Sequence, residues 1–456
     1  MIKSAALVLL YSTLMILLLS SVSISTDWHQ WHGLDRDGAT SESSGWPQGW
    51  PPEELWRMNV GPGASSPIIV KDRVYVMGWK DNSDHVYCLD THGKAGKPNV
   101  IWTKSYPCPA YSRNGARVNG YYRGVLATPV MDANTGFLYT LSCDGDLCCW
   151  EAYNREDPGR LRWRANFFSD YNATSDKRDY GFLASPLLYG DWLIVEVGHS
   201  EEGTIWAFDK NNGTVKWKSK HCGNRANGSP ALIMIEGKPC VATICRDTFL
   251  VVRMDKGHEG ETVVEYPWPS HFNESNPSPI VSGNKVLITM CESAGRRTHL
   301  TTINSLRKND YTVKDYTKQF FTSTSTAALH DGHLYFRSGK KVRSFDLNSG
   351  KMNWESGDIF AENHAMGAEV GNLLVTAKDS KMIIWDGMKE GNLVLAEASP
   401  NSGWKELARI NGILKKGKYE QGYPHVALSN GIIVCKNIEG DIVCLSLTAM
   451  SDNNIR

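Results

Sequence analysis

The stretch IWAFDKNNGTVKW at residues 205–217 describes two short strands joined by a tight turn. Its aromatic and β-branched residues favour strands, whereas Asp209 and Gly213 are typical of turns. The second strand ends on a tryptophan, Trp217. The same order of apolar strand, Asp and Gly turn, and Trp strand recurs elsewhere, as VYCLD (86–90) with IW (101–102) and as VRSFD (342–346) with MNW (352–354).

Each copy begins about 20 residues further upstream, where a small residue precedes a proline and a short apolar strand. Five such steps are clear, and degenerate copies follow near Thr326, Met366 and Tyr423. Because Leu55 to Leu447 is 393 residues, eight copies average about 49 residues each. Four short strands per repeat of this length predict an all-β fold, an eight-bladed β-propeller with four-stranded antiparallel blades. The clear steps are Ser66-Pro67, Thr128-Pro129, Ser185-Pro186, Ser229-Pro230 and Ser278-Pro279.

The eighth copy is incomplete, because no Trp strand follows its third strand at Ile442–Ser446. An unassigned Trp strand lies at the other end of the chain, at Leu55–Val60. We therefore predict that this N-terminal strand completes the last blade and closes the ring, which removes exposed strand edges. Residues 55–447 are then a single propeller, and the recurrent tryptophans are expected to wedge between neighbouring blades.

The first 25 residues have the features of a secretory signal peptide. Lys3 precedes a nearly continuous apolar run from Ala5 to Leu19, and Ser23 and Ser25 provide a small-x-small cleavage pattern. The alternative is an uncleaved anchor, although the run is short for a spanning helix of about 20 residues. We expect an exported protein, periplasmic or extracellular, and membrane-anchored if the segment is retained. Residues 26–54 form an entry segment, and residues 448–456 form a C-terminal tail.

The composition excludes two broad classes of protein. The chain has 49 Lys and Arg residues against 49 Asp and Glu residues, so its balanced charge argues against a nucleic-acid partner. Apolar residues make up 41% of the chain and charged residues 21%, which is not a disordered composition.

Export implies an oxidising compartment for the 11 cysteines. Cys435 and Cys444 flank a turn at Glu439-Gly440, and a two-residue turn would place them opposite each other, within disulfide reach. The alternative is two small core residues. The adjacent Cys148 and Cys149 lie within a predicted third strand, where neighbouring side chains point to opposite faces, so two separate thiols are expected.

The repeat at 207–217 resembles the blade motif of pyrroloquinoline quinone (PQQ)-like β-propellers. The stretch WHQWHGLDRDG at 28–38 resembles the entry motif of exported bacterial members, notably planctomycete-type ones. The resemblance implies a fold of the quinoprotein alcohol dehydrogenase-like superfamily, whose members include quinoprotein dehydrogenases and an outer-membrane assembly scaffold. PQQ and calcium are therefore cofactors to consider. However, no Trp-Asp or Asn-Asp pattern matches the Asp base that such a dehydrogenase needs. We therefore expect no cofactor, with PQQ and calcium as the alternative.

The loops that lead into the innermost strands are expected to meet at one mouth of the central channel. Three of them are long and contain Arg, Tyr and Asn, which suit a polar ligand with carboxylate, sulfate or sugar hydroxyl groups. Alternatively, these loops plug the channel and bind each other, or form a protein-docking face. The candidate ligand-binding residues are Arg113, Arg117, Tyr122, Arg123, Tyr180, Arg225, Asn227, Asn276, His364, Tyr423 and His425.

Three functions are compatible with this sequence. The first is a non-catalytic scaffold that binds a polar small molecule or an extracytoplasmic protein, with no catalytic or metal-ligating residues. The second is an oxidoreductase that uses PQQ and calcium. The third is a propeller enzyme that acts on an extracellular polysaccharide. The available loop residues favour the first.

Overall fold

The structure of the chain is a computed structural model, which describes residues 27–93, 96–109, 124–173, 181–269, 276–290, 297–320, 322, 325–360, 372–387, 391–414 and 422–447. The proposed signal peptide and C-terminal tail lie outside these residues. Within them the secondary structure is β-strand with turns. No helix in the described part of the chain has the length and apolar character needed to cross a membrane.

Eight sheets are arranged as the blades of a propeller, which confirms the predicted fold. Two strands precede the first blade, β1 (Ala39–Thr40) and β2 (Glu53–Asn59). Blade one consists of β3 (Ile68–Val70), β4 (Arg73–Lys80), β5 (Ser83–Asp90) and β6 (Val100–Pro107). Blade two consists of β7 (Val130–Asp132), β8 (Phe137–Leu141), β9 (Asp146–Glu151) and β10 (Arg160–Asn166). Blade three consists of β11 (Leu187–Tyr189), β12 (Trp192–His199), β13 (Gly203–Asp209) and β14 (Val215–Lys218).

The same antiparallel order continues through the second half of the ring. Blade four consists of β15 (Ala231–Ile235), β16 (Lys238–Ile244), β17 (Thr248–Arg253) and β18 (Thr262–Pro267). Blade five consists of β19 (Ile280–Ser282), β20 (Lys285–Thr289), β21 (Thr298–Ile303) and β22 (Tyr311–Asp315). Blade six consists of β23 (Ala328–His330), β24 (His333–Ser338), β25 (Lys341–Asp346) and β26 (Met352–Glu355).

The last two blades include the two N-terminal strands. Blade seven consists of β27 (Asn372–Thr376), β28 (Lys381–Trp385), β29 (Leu393–Glu397) and β30 (Glu406–Ile410), and β1 pairs in parallel with its inner strand β27. Blade eight consists of β31 (Ala427–Ser429), β32 (Ile432–Lys436) and β33 (Asp441–Ser446), with β2 as its outer strand. Trp56 of β2 lies opposite Cys444 of β33, so the predicted closure by the N-terminal strand is confirmed.

The recurrent tryptophans lie between blades, as predicted, and the structure explains the recurrent glycines as well. Trp163 of blade two donates its indole N–H to the Lys210 carbonyl in a turn of blade three, at 3.0 Å. A Cβ at Gly213, whose φ is +73°, would lie 2.6 Å from the Trp163 ring. The ring therefore needs a glycine in the facing turn. Trp56, Trp102 and Trp354 donate to the following blade in the same way.

The serines and threonines of the small-residue–proline steps form a second repeated feature, which we call the Ser/Thr ring. In blades one to five, the backbone N–H of this residue donates to the hydroxyl of the equivalent residue in the next blade, over 2.9 to 3.1 Å. His425 of blade eight donates its N–H to Ser66 of blade one at 2.8 Å. The ring thus connects buried backbone donors from blade to blade. Its described members are Ser66, Thr128, Ser185, Ser229, Ser278, Thr326 and His425.

The prediction of a possible disulfide between Cys435 and Cys444 is wrong. The turn contains three residues, Ile438 to Gly440, so the hairpin register differs by one residue from the expected one. Cys435 lies opposite Val443 and Cys444 lies opposite Val434, which directs the two side chains to opposite faces of the blade. Both are buried free thiols, which is the alternative that the sequence left open.

The adjacent Cys148 and Cys149 lie in β9, as expected. Both are buried free thiols. Cys148 packs in the core between blades one and two, and Cys149 packs in the core between blades two and three. The prediction of two separate thiols is confirmed.

Candidate functional site

Residues 27–40, which we call the N-terminal plug, fill the channel that the eight inner strands surround. Plug carbonyl groups accept hydrogen bonds from inner-strand N–H groups of four blades, at 2.7 to 3.0 Å. The plug is therefore bound to the propeller by its backbone. These bonds run from Ile69 to Trp28, from Met131 to His29, from Leu329 to Asp37 and from Val375 to Gly38.

Arg36 fixes the plug to blades three and four. Its side chain is buried, and Nη1 donates to the carbonyls of Ser185 at 3.3 Å and Pro230 at 2.7 Å. Nη2 donates to the Pro186 carbonyl, and Nε donates to Gln30 Oε1 at 3.0 Å. Burial lowers the pKa of Arg36 to about 9, so the guanidinium is still charged at neutral pH. Its donors are used within the protein.

Three rings pack together where the plug meets blades five and eight. Trp31 donates its indole N–H to the Ser278 hydroxyl at 3.2 Å, and its ring lies 4.1 Å from that of His425. His32 packs at 5.1 Å from His425 and makes a 3.1 Å contact between Nδ1 and the Arg36 carbonyl. Burial lowers the pKa of His32 to about 4 and that of His425 well below its ordinary value. Both rings are neutral at pH 7.

A cavity of about 510 Å³ lies at the opposite end of the channel, where the inner strands finish. We call it the acidic bowl. Among the described residues, its lining includes four aspartates and one histidine but neither lysine nor arginine. The bowl therefore favours a positively charged group. The lining residues are Asp27, Trp28, Leu34, Asp35, Asp37, Ala39, Thr40, Ser41, Ser282, Leu329, His330, Asp331, Gly332 and Ala377.

The carboxylates of the bowl differ in their surroundings. Asp37 accepts a 2.9 Å hydrogen bond from the Ala39 N–H. The pKa of Asp37 is raised to about 6, mainly by burial and also by the neighbouring Asp35. Asp331 is more exposed and lies 3.4 Å from His330 Nε2. A cation in the bowl would relieve the repulsion between Asp35 and Asp37.

Two exposed apolar side chains lie on the same face of the propeller as the bowl. Leu34 is 50% exposed and lines the bowl itself, and Trp46 is 37% exposed. Asp379, in the turn after the inner strand of blade seven, accepts from Ser44 N–H and Oγ and so holds the chain that carries Trp46. This face combines negative charge with exposed apolar side chains, and apolar surface rimmed by polar residues marks many protein-interaction sites.

The predicted ligand-binding residues are only partly described. Arg113, Arg117, Tyr122, Arg123, Tyr180 and His364 lie outside the described residues, whereas Arg225, Asn227, Asn276, Tyr423 and His425 are described. All five precede or lie near the start of an inner strand, at the end of the channel opposite the bowl.

The described candidates contact their own protein. Arg225 lies 4.1 Å over the Phe182 ring and donates to the Gly181 carbonyl at 3.3 Å. The side chains of Asn227 and Asn276 share a 2.7 Å hydrogen bond between blades four and five. His425 is buried under Trp31 in the cluster of rings described above. These contacts join neighbouring blades.

Glu196 is a positioning residue that the sequence did not indicate. It is buried in β12 and accepts from the Ala226 N–H at 2.8 Å and the Thr243 hydroxyl at 3.0 Å. It therefore ties blade three to the loop that contains Arg225. Burial raises the pKa of Glu196 to about 7. A Glu within an otherwise apolar strand, WLIVEVGH at 192–199, was the available signal.

Part of the chain is similar in sequence to a known family. Residues 99–251, which span the end of blade one to part of blade four, match the family model described as outer membrane protein assembly factor BamB. This part of the propeller is similar to the PQQ-like β-propellers. No curated protein matches this propeller in sequence.

Several solved structures share the fold at low sequence identity. BamB from Moraxella catarrhalis is 13% identical, with a TM-score of 0.54 over 86% of this chain and 99% of that chain. Sqt1 from Chaetomium thermophilum is 12% identical, with a TM-score of 0.54 over 87% and 98%. The computationally designed Ika8 protein is 10% identical, with a TM-score of 0.52 over 86% and 99%. At these identities the likeness shows the fold alone.

The acidic bowl does not fit the cofactor after which PQQ-like propellers are named. PQQ is a quinone with three carboxylates, and the four aspartates of the bowl would repel it. Arg36, the cation at the centre of the channel, already donates to three backbone carbonyls and Gln30. In the described part of the chain, no group of three or more His, Cys, Asp or Glu side chains is arranged to hold a metal ion.

Proposed function

We propose that this PQQ-like propeller is an exported, non-catalytic scaffold that binds a protein partner. The binding site is the acidic bowl, and its ligand is a segment of the partner that carries lysine or arginine next to an apolar residue. The observation that carries the proposal is the lining of the bowl, which has four aspartates and, in the part of the chain that the structure describes, no lysine or arginine.

The plug supports a binding role for this end of the channel. Because residues 27–40 fill the axis and are bonded to the inner strands, the bowl has a fixed floor. Such a preorganised surface loses little conformational freedom when a partner binds. Leu34 and Trp46 supply exposed apolar surface on the same face.

The structural relatives agree with a scaffold. BamB is described as an assembly factor, and Sqt1 has been solved bound to the N-terminus of ribosomal protein L10, with a TM-score of 0.53 to this chain. Both share the propeller fold with this chain, and one is an assembly factor while the other binds a protein segment. Export is supported by the apolar N-terminal run and remains part of the proposal.

The test is a binding titration with a fluorescein-labelled peptide of alternating lysine and leucine, followed by fluorescence anisotropy. We expect saturable binding that weakens as NaCl rises from 50 to 500 mM, because salt screens exposed charges. A peptide of alternating glutamate and leucine should not bind. The double variant Asp35→Asn, Asp331→Asn should bind the lysine peptide about tenfold more weakly.

The matched control is the double variant Asp315→Asn, Asp358→Asn, which also removes two negative charges, from the outer strand of blade five and from the exposed chain that follows the outer strand of blade six. Asp315 is 94% exposed in its side chain and lies far from the channel, so peptide affinity should not change. Equal loss of affinity in the control and the bowl variant would show that only net charge matters. Absence of binding to the wild-type protein would overturn the proposal.

A further inference from the structure

Cys108 and Cys143 meet at the end of the channel opposite the bowl, between blades one and two. Cys108 follows the outer strand of blade one, and Cys143 lies in the turn between β8 and β9 of blade two. Both are buried, at 0% and 5% exposed, and they share one small apolar cluster with Leu126. The neighbouring Cys108 thiol, together with burial, raises the pKa of the Cys143 thiol well above its ordinary value.

Backbone hydrogen bonds hold both cysteines in position. The Cys108 N–H donates to the Asn82 carbonyl at 2.8 Å, and its carbonyl accepts from the Trp79 indole at 2.9 Å. The Cys143 carbonyl accepts from the Phe182 N–H at 3.2 Å. The cysteines belong to different blades, so bonding between their sulfurs would join two separately hydrogen-bonded sheets.

We propose that Cys108 and Cys143 form a disulfide in the exported protein. One thiolate attacks a low-molecular-weight disulfide such as oxidised glutathione and displaces the first glutathione thiolate. The second cysteine thiolate then attacks the mixed disulfide and displaces the second glutathione. Two protein thiols are oxidised, one glutathione disulfide is reduced to two thiols, and the two protons pass to those products. Because both sulfurs are buried, the bond forms before blades one and two close.

The other neighbouring cysteines are not placed to form disulfides with each other. Cys148 with Cys149, and Cys435 with Cys444, point to opposite faces of their blades and stay reduced. Cys108 also lies two residues before segment 110–123, which contains the predicted ligand-binding arginines. A disulfide would therefore anchor the start of that segment to blade two.

The test is mass spectrometry of the full chain exported to a bacterial periplasm. The protein is unfolded in N-ethylmaleimide without reductant and digested with trypsin and then before aspartate, which separates Cys143 from Cys148 and Cys149. We expect a cross-linked peptide pair that contains Cys108 and Cys143 and disappears after reduction. N-ethylmaleimide on both residues, or a different cross-link, would overturn the proposal.

A second measurement compares variants by thermal unfolding with and without dithiothreitol. We expect dithiothreitol to lower the Tm of the wild-type protein by about 5 °C. Cys108→Ser and Cys143→Ser should have this lower Tm already and should not respond to dithiothreitol. Cys240→Ser, which removes a buried thiol from blade four, should keep the response. A response that survives in Cys108→Ser would also overturn the proposal.

Discussion

The two ends of the channel use polar groups in opposite ways. At the end where the inner strands begin, the hydroxyls of the Ser/Thr ring accept backbone N–H groups of neighbouring blades, and Arg36 donates to carbonyls. At the other end, Asp35 and Asp331 face an open cavity. The hydrogen bonds of the Ser/Thr ring and of Arg36 therefore stabilise the fold at the first end, whereas the second end has charge available for a partner.

The largest expected effect concerns Arg36, which joins the plug to blades three and four. Arg36→Ala leaves three carbonyls and the Gln30 amide oxygen without this donor, and we expect a loss of about 4 kcal/mol in the free energy of unfolding. Urea denaturation measures it. Arg57→Ala removes an exposed Arg–Glu pair on β2 and should cost less than about 1 kcal/mol. If the two variants lose the same free energy of unfolding, the hydrogen bonds of Arg36 do not stabilise the fold more than an exposed ion pair does.

The second prediction uses pH. The pKa of His32 is about 4 in the folded protein against an ordinary value of 6.5, so the unfolded chain binds more protons between these values. Stability due to His32 is complete above pH 6.5 and is lost as pH falls towards 4, by on the order of 3 kcal/mol. Arg36 and His425 face His32, and neither provides a negative charge to stabilise its protonated form.

The corresponding measurement is urea denaturation at pH 7.5 and pH 4.5. His32→Asn cannot titrate and tolerates the positive φ of 62° at this position, so it should lose this part of the pH dependence. Glu196 and Asp84 contribute with the opposite sign, because their pKa values are raised to about 7 and about 8 and their stabilisation is lost as pH rises. The exposed His92→Asn should keep the wild-type profile; if it changes as His32→Asn does, the buried ring is not the cause.

The third prediction tests the Ser/Thr ring. Ser229→Ala removes the hydroxyl that accepts the buried Ser185 N–H, and we expect a loss of about 2 kcal/mol in the free energy of unfolding. Urea denaturation of Ser402→Ala, at an exposed serine after blade seven's third strand, should differ from wild type by less than about 0.5 kcal/mol. A neutral Ser229→Ala would show that the ring hydroxyls do not stabilise the fold.

The smallest effect is expected on peptide affinity, for a variant at the end of the channel where the inner strands begin. Arg225→Ala loses the contact with the Phe182 ring, which should cost about 1 kcal/mol of stability. Its affinity for the lysine–leucine peptide should equal that of wild type, because the bowl lies at the other end of the channel. A tenfold change in affinity would show that the two ends are coupled.

The sequence was sufficient to predict the blades, the closure by the N-terminal strand and the interblade tryptophans, because each repeats with a fixed local pattern. It did not indicate that residues 27–40 fill the channel. Arg36 and Pro230 are 194 residues apart, and a contact between a side chain and a distant carbonyl leaves no local pattern. The bowl was missed for the same reason, since Asp35 and Asp331 belong to segments that only the closed ring brings together. The predicted register of the hairpin that contains Cys435 was wrong, because its turn has three residues and not two.

The closure of the ring has a consequence for how the chain folds. Trp56 pairs opposite Cys444, so the last blade joins strands that are 388 residues apart in sequence. Contacts of such high sequence separation form slowly, because the entropy of closing the loop is lost before the contact stabilises the chain. The plug also spans blades made early and late in synthesis. Completion of the propeller must therefore wait until the final strand has been synthesised, and the earlier blades remain an open array with exposed edges until then.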